Sequence, residues 1–239
     1  MEIDITLSFR TETPEPHDID TKSVELQNYH HKLWHNKILP NKKYFTIEKY
    51  SKNGRLYFID RNNEKKYSSD TIFQSFRNFK SYKKITASFA DEINQRIKET
   101  GTTIGGYLIF PSYKLDNKQT INAARGFNHL IKDRFDLTLE CIRRFYEYGD
   151  REINPLYETL NRYKDFFDLF IDFKGYIEFF LLDDLVENYK RIKFFIDFKD
   201  FKETSPYPRD KQQYSYYLKN MVDFIKKRNS KIKDYLKKK

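Results

Sequence analysis

Residues Thr120–Tyr148 read TINAARGFNHLIKDRFDLTLECIRRFYEY. At 100° per residue, Phe127, Ile131, Phe135, Leu139, Ile142 and Phe145 fall on one side of a helix. Asp133, Asp136, Glu140, Arg143, Arg144 and Glu147 fall within a face roughly 100° wide on the other. The pattern predicts a long amphipathic helix that stops at Gly149. Three acids come before any base on that charged face, and like charges at i,i+3 and i,i+4 repel. A ladder of this kind is expected to face a divalent cation, a substrate cation or basic residues folded over it. The plainer alternative is a solvent face with Glu140–Arg143 and Glu140–Arg144 pairs, each worth about 0.2–0.5 kcal/mol. In the functional reading Asp133, Asp136 and Glu140 bind metal or act as acid and base, while Arg143 and Arg144 stabilise developing negative charge. Just upstream, Asn122, Arg125 and Gly126 lie where a helix start could receive a phosphate or carboxylate. A close helix–helix contact capped by Thr120 is the alternative there.

Downstream, Asn154 with Pro155 behind it starts a helix. Leu160, Tyr163, Phe167 and Phe170 supply its apolar face and Gly175 its end. Tyr176–Val186 reads as a short helix and Ile192–Phe198 as a strand. Beyond Pro206 and Pro208, Asp210 opens a last helix. There Tyr214, Leu218, Met221, Ile225, Ile232 and Leu236 share one face, away from Lys219, Lys226, Lys233 and Lys237.

Upstream, Ile3–Phe9 alternates like a strand and Thr11–Asp20 is a loop. Ser23 caps a helix through His35 that would bury Val24, Leu26, Tyr29, Leu33 and Trp34, and Pro40 ends that unit. Tyr44–Tyr50 and Arg55–Asp60 flank Asn53-Gly54, the turn signature of a hairpin. Ser69 or Asp70 is expected to cap a helix carrying Ile72, Phe73, Phe76 and Phe79. Ser88–Thr100 is another helix, with Phe89, Ile93 and Ile97 inward, and Ile104–Phe110 is a buried strand closed by Pro111. The expected fold class is α+β, with a small N-terminal sheet or hairpin and helices, and a predominantly helical C-terminal half. One domain is expected over 1–239, comprising a mixed α/β region over 1–115, a helical core over 116–205 and a basic helix over 206–239.

The 239 residues can bury a real core. No secretory signal or bilayer-spanning run is visible, so a cytoplasmic protein without membrane contact is expected. Cys141 is the only cysteine, which excludes a disulfide framework and a cysteine-rich zinc site. Nine Lys/Arg and two Asp between Lys219 and Lys239 supply +7 of the net +10, so basic character is concentrated at the C-terminus. His31 and His35, four apart on the first helix, have a spacing that can share a metal, although the glutamate of a zinc-protease motif is missing.

The stretches FRTETPEPHDIDTKSVELQNYHHKLW with Leu39-Pro40, GGYLIFP, TINAARGF, DRFDLTLECIRRFY and DFFDLFIDFKGYIEFFLLDDL resemble a family of bacterial proteins known only as a domain of unknown function. The likeness runs from Phe9 to Asn229 and is weakest around the hairpin. It implies bacterial origin and one intact domain, and it transfers no activity. Two functions are therefore expected from the residues alone. One is an enzyme on a phosphate-bearing substrate, nucleotide or nucleic acid, to which a role in phage defence would be suited. Its substrate-binding candidates are Asn122, Arg125 and His31, and a divalent cation is its candidate cofactor. The other is a non-enzymatic protein that binds nucleic acid or an acidic partner through the C-terminal helix.

Overall fold

A computed structural model describes residues 2–62, 64–87 and 91–238. Four antiparallel strands, Glu48–Lys52, Arg55–Asp60, Lys65–Thr71 and Tyr107–Pro111, form the main sheet in that order. Asn53 and Gly54, at φ 53° and 68°, make the predicted hairpin turn. The fourth strand is buried at every position. Helices Val24–Trp34, Phe135–Tyr148, Phe173–Phe180 and Lys211–Lys237 surround the sheet, with shorter helical turns between them, and the whole is α+β. Among the described residues no helix is long and apolar enough to cross a membrane.

Both long capped helices follow their sequence signals. Ser23 Oγ accepts from the Leu26 amide at 3.0 Å, and the Glu12 carboxylate also caps this end through the Val24 amide. Asp210 Oδ1 accepts from Gln213 N at 2.8 Å. The last helix buries Tyr214, Leu218, Met221, Ile225 and Ile232 and leaves Lys219, Lys226, Lys233 and Lys237 exposed. It also buries two residues that the charge pattern concealed. Asn229 Oδ1 accepts from Gly105 N, and Arg228 donates to the Gly105, Tyr107 and Phe180 carbonyls. This basic helix is therefore a core element that clamps the start of the fourth strand.

Several expectations are corrected. Residues 3–8 form no strand: Asp4 Oδ1 captures the Thr6 amide at 2.8 Å, and Phe9 opens a helical turn. Ser69 and Asp70 cap no helix. They lie within the third strand, where Tyr67 to Asp70 are all buried. Gly175 sits inside Phe173–Phe180 as the residue whose amide Asp172 caps. Only Arg191–Ile192 of the last expected strand pairs, with Val186–Glu187. The expected helix from 88 begins at Asp91, and Ser88 and Phe89 lie outside the described residues. Val24 and Ile93 were expected to face inward and Phe127 to lie on the apolar side of its helix, and all three are exposed.

The decisive correction concerns residues 120–148, which form two helices, Ile121–Phe127 and Phe135–Tyr148. Asn128 interrupts them. Its Oδ1 takes the Leu130 amide at 2.9 Å and its Nδ2 donates to the Pro155 carbonyl, so a side chain replaces the helical ladder. Lys132 and Asp133 then turn left-handed, at φ 49° and 63°, and the Asp133 amide returns to the Arg125 carbonyl. The six charges consequently do not share one helical face.

Candidate active-site cleft

Each acid of the expected ladder has an arginine against it, and Glu140 and Glu147 share Arg143. Arg134 and Asp136 are fully buried and joined by two hydrogen bonds, with the Phe195 amide on Asp136 and the Pro206 and Ile196 carbonyls on Arg134. Glu140, 4% exposed, accepts from Arg143 at 2.8 Å and from Arg144 at 2.7 Å. Arg144 also donates to the Ile153 carbonyl, and its guanidinium stacks over Phe201. The pairs expected of a solvated helix do form, but in the interior. Asp133 instead reaches Arg125 at 3.3 Å from the intervening loop.

Asp133 lines a cleft of about 560 Å³, together with Asp18, Asp20, Gln74, Arg10, Arg77 and Lys98. Asp136, Glu140, Arg143, Arg144, Asn122 and His31 do not line it. Arg125 stands behind the wall, sandwiched between the rings of Phe110 and Phe135. Its donors are committed to Asp70, Thr138 Oγ1 at 2.9 Å, the Thr71 carbonyl and Asp133. Asn122 donates to the Ser69 carbonyl, so it supports the third strand. Thr120 caps the helix start considered for an anion.

Asp20 comes from the helical turn Ile19–Lys22, which Asp18 caps and the Lys22–Gly54 bond fixes to the hairpin. One oxygen of Asp20 is buried with no hydrogen-bond partner. A polar relay orients the other side of this carboxyl. The Trp34 indole, which can only donate, bonds His30 Nδ1 at 2.9 Å, so the neutral ring donates from Nε2 to Ser69 Oγ at 3.0 Å. Burial holds the His30 pKa at about 3, and Ser69 in turn hydrogen-bonds Asp20. Gln74, which donates to Asp133, belongs to a loop held by the left-handed Phe76, whose amide bonds Gln74 Oε1.

The cleft has two electrostatic poles. Burial first, then the neighbouring Asp70 and Asp18, drive the pKa of Asp20 well above the usual carboxylate range. Burial outweighs Arg125 at Asp70, which is pushed up to about 7, and it also raises Asp133. At the other pole Glu15 is held below its ordinary value by Lys98, with Arg10 and Arg77 adding to the effect. Asp18, Asp20 and Asp133 stand at one end, and Arg10, Arg77 and Lys98 stand at the other around Glu15, which pairs with Lys98.

Sequence reasoning found Asp133 and Arg125 but missed Asp20, Ser69, Asp70, His30 and the basic pole. The one local signal was Ser68-Ser69-Asp70, a polar triplet that follows the aromatic Tyr67 inside a strand. These residues belong to a chain that is a member of the family of unknown function DUF6994, which matches residues 3–232. No curated protein and no solved structure matches it.

Proposed function

We propose that the protein is an enzyme acting on a phosphate-bearing small molecule in the two-poled cleft. The observation that carries the reading is the sharing of one guanidinium, Arg125, by Asp70 and Asp133, with Asp20 in the same field and a basic pole opposite. More carboxyls than counter-charges in a cleft is an arrangement that stability alone disfavours and acid–base chemistry uses. The volume suits a nucleotide better than a polymer, since small-molecule sites occupy roughly 300–1,000 Å³.

In this reading Arg10, Arg77 and Lys98 receive phosphate. Asp20, beside Ser69 and with its pKa raised by burial, is the general acid for a leaving oxygen. Asp133 serves as the partnering base or as a ligand to a divalent cation shared with the phosphate. Arg125 is a positioning residue because its donors are already engaged, and Asn122 positions the strand bearing Ser69. Asp136, Glu140, Arg143 and Arg144 are assigned to the core. Nucleic-acid binding by the last helix retains only its outward lysines, and Lys219 and Lys237 are paired to Asp223 and Asp234.

Calorimetric titration of nucleoside mono-, di- and triphosphates, with and without magnesium, tests the proposal. Arg77→Ala should weaken binding about tenfold or more. Asp20→Asn should keep binding and lower turnover roughly 10²–10⁴-fold. Failure of every nucleotide to bind, or equal affinity in Arg77→Ala, overturns the proposal.

A further inference from the structure

A second polar cluster lies outside the cleft. The helix Val24–Trp34 places His31 one turn before His35, with the rings 4.5 Å apart and only 15° from parallel. The strand Glu48–Lys52 brings Glu48 over them, its Oε2 3.7 Å from His31 Nε2. One potential ligand atom from each residue lies within 4.8 Å of the other two, and among the described residues no other His, Cys, Asp or Glu group meets that spacing.

We infer that His31, His35 and Glu48 form a transition-metal site that joins the helix to the hairpin. A tetrahedral ion bonded at about 2.0–2.1 Å holds its ligand atoms roughly 3.3 Å apart. The observed separations are wider than that, so the three side chains draw together around a bound ion. His31 Nε2 is buried, faces the Glu48 carboxylate at 3.7 Å and has no hydrogen-bond partner at normal distance. His35 approaches Glu48 Oε1 through Nδ1 at 3.9 Å, and that nitrogen donates its proton to the Ile47 carbonyl at 2.6 Å, so in the proposed site this ring would bind the ion through Nε2. A backbone acceptor behind a ligating imidazole is the usual orienting contact of metal-bound histidine. Two imidazoles and one carboxylate select zinc, cobalt, nickel or copper over magnesium or calcium. Three protein ligands leave a coordination position open to water, and the ligands are partly exposed, so an ion can enter.

The test uses the full chain after chelator treatment, titrated with Co²⁺ by visible absorption and with Zn²⁺ by competition. One equivalent of Co²⁺ should give tetrahedral d–d bands that Zn²⁺ abolishes, and Zn²⁺ should raise the thermal midpoint. His35→Ala and Glu48→Gln should each weaken the ion by about tenfold or more, since even outer-shell changes cost about that much. Asp20→Asn should bind the ion as the unsubstituted protein does, which separates this site from the cleft. Unchanged affinity in both His35→Ala and Glu48→Gln, or no saturable Co²⁺ spectrum, overturns the assignment.

Discussion

Within the helix Phe135–Tyr148 the buried acids are met by arginines at least one for one, whereas at the cleft Asp70 and Asp133 divide Arg125 and Asp20 has no base of its own. The first arrangement is closed: Asp136 bonds Arg134 and the Phe195 amide, and Glu140 is held between Arg143 and Arg144. Charges matched in this way hold a fold together, and breaking one pair leaves its partner stranded in the interior. The second arrangement is open. Its surplus negative charge must be met by protons, by a cation or by a ligand's own groups. The same residue types thus serve structure in one place and chemistry in the other, and the ratio of acids to arginines distinguishes them.

The largest effect should come from the closed side. Asp136→Asn should destabilise the protein by about 3–5 kcal/mol, read from urea unfolding, because buried Arg134 loses its counter-charge. Glu140→Gln should cost about 1.5–3 kcal/mol through its charge-assisted bonds to both arginines. That loss should appear in stability and not specifically in turnover. Asp20→Asn should act in the opposite sense, raising stability at pH 7. The sign follows from its raised pKa: the unfolded chain releases this proton at lower pH than the folded one, so stability drains away as pH rises. Asparagine has no proton to release. The same argument at Asp70 places a loss of stability between pH 3.8 and about 7 in the unsubstituted protein. An Asp20→Asn protein less stable than its parent at pH 7 would erase the distinction between the two regions.

Much of the fold was legible because its signals are local. Asn53-Gly54 specified a turn, Ser23 and Asp210 specified helix starts, and the spacing from Tyr214 to Ile232 specified a buried face. The break after Phe127 was hidden because Gly126 lies inside the first helix and not past its end. Asn128 makes it with a side chain, and the apolar period continues across the gap. Ser69 and Asp70 read as caps because their burial in a strand depends on His30, Asp20 and Arg125, all distant in sequence. The cleft gathers residues near 20, 70, 98 and 133, and no local pattern announces such a meeting. Asp133 was picked out for a helical face that does not form, and Arg125 for a helix start that Thr120 caps.

The central claim is that one arginine cannot hold Asp20, Asp70 and Asp133 at their ordinary pKa values. Its most direct test is a ¹³C NMR titration of the aspartate side-chain carboxyls, with Asp20, Asp70 and Asp133 assigned by substitution to asparagine. The account predicts a midpoint near 7 for Asp70 and midpoints for Asp20 and Asp133 above the ordinary 3.8. If all three carboxyls instead titrate together near 3.8, the cleft holds ordinary ion pairs and the account is contradicted.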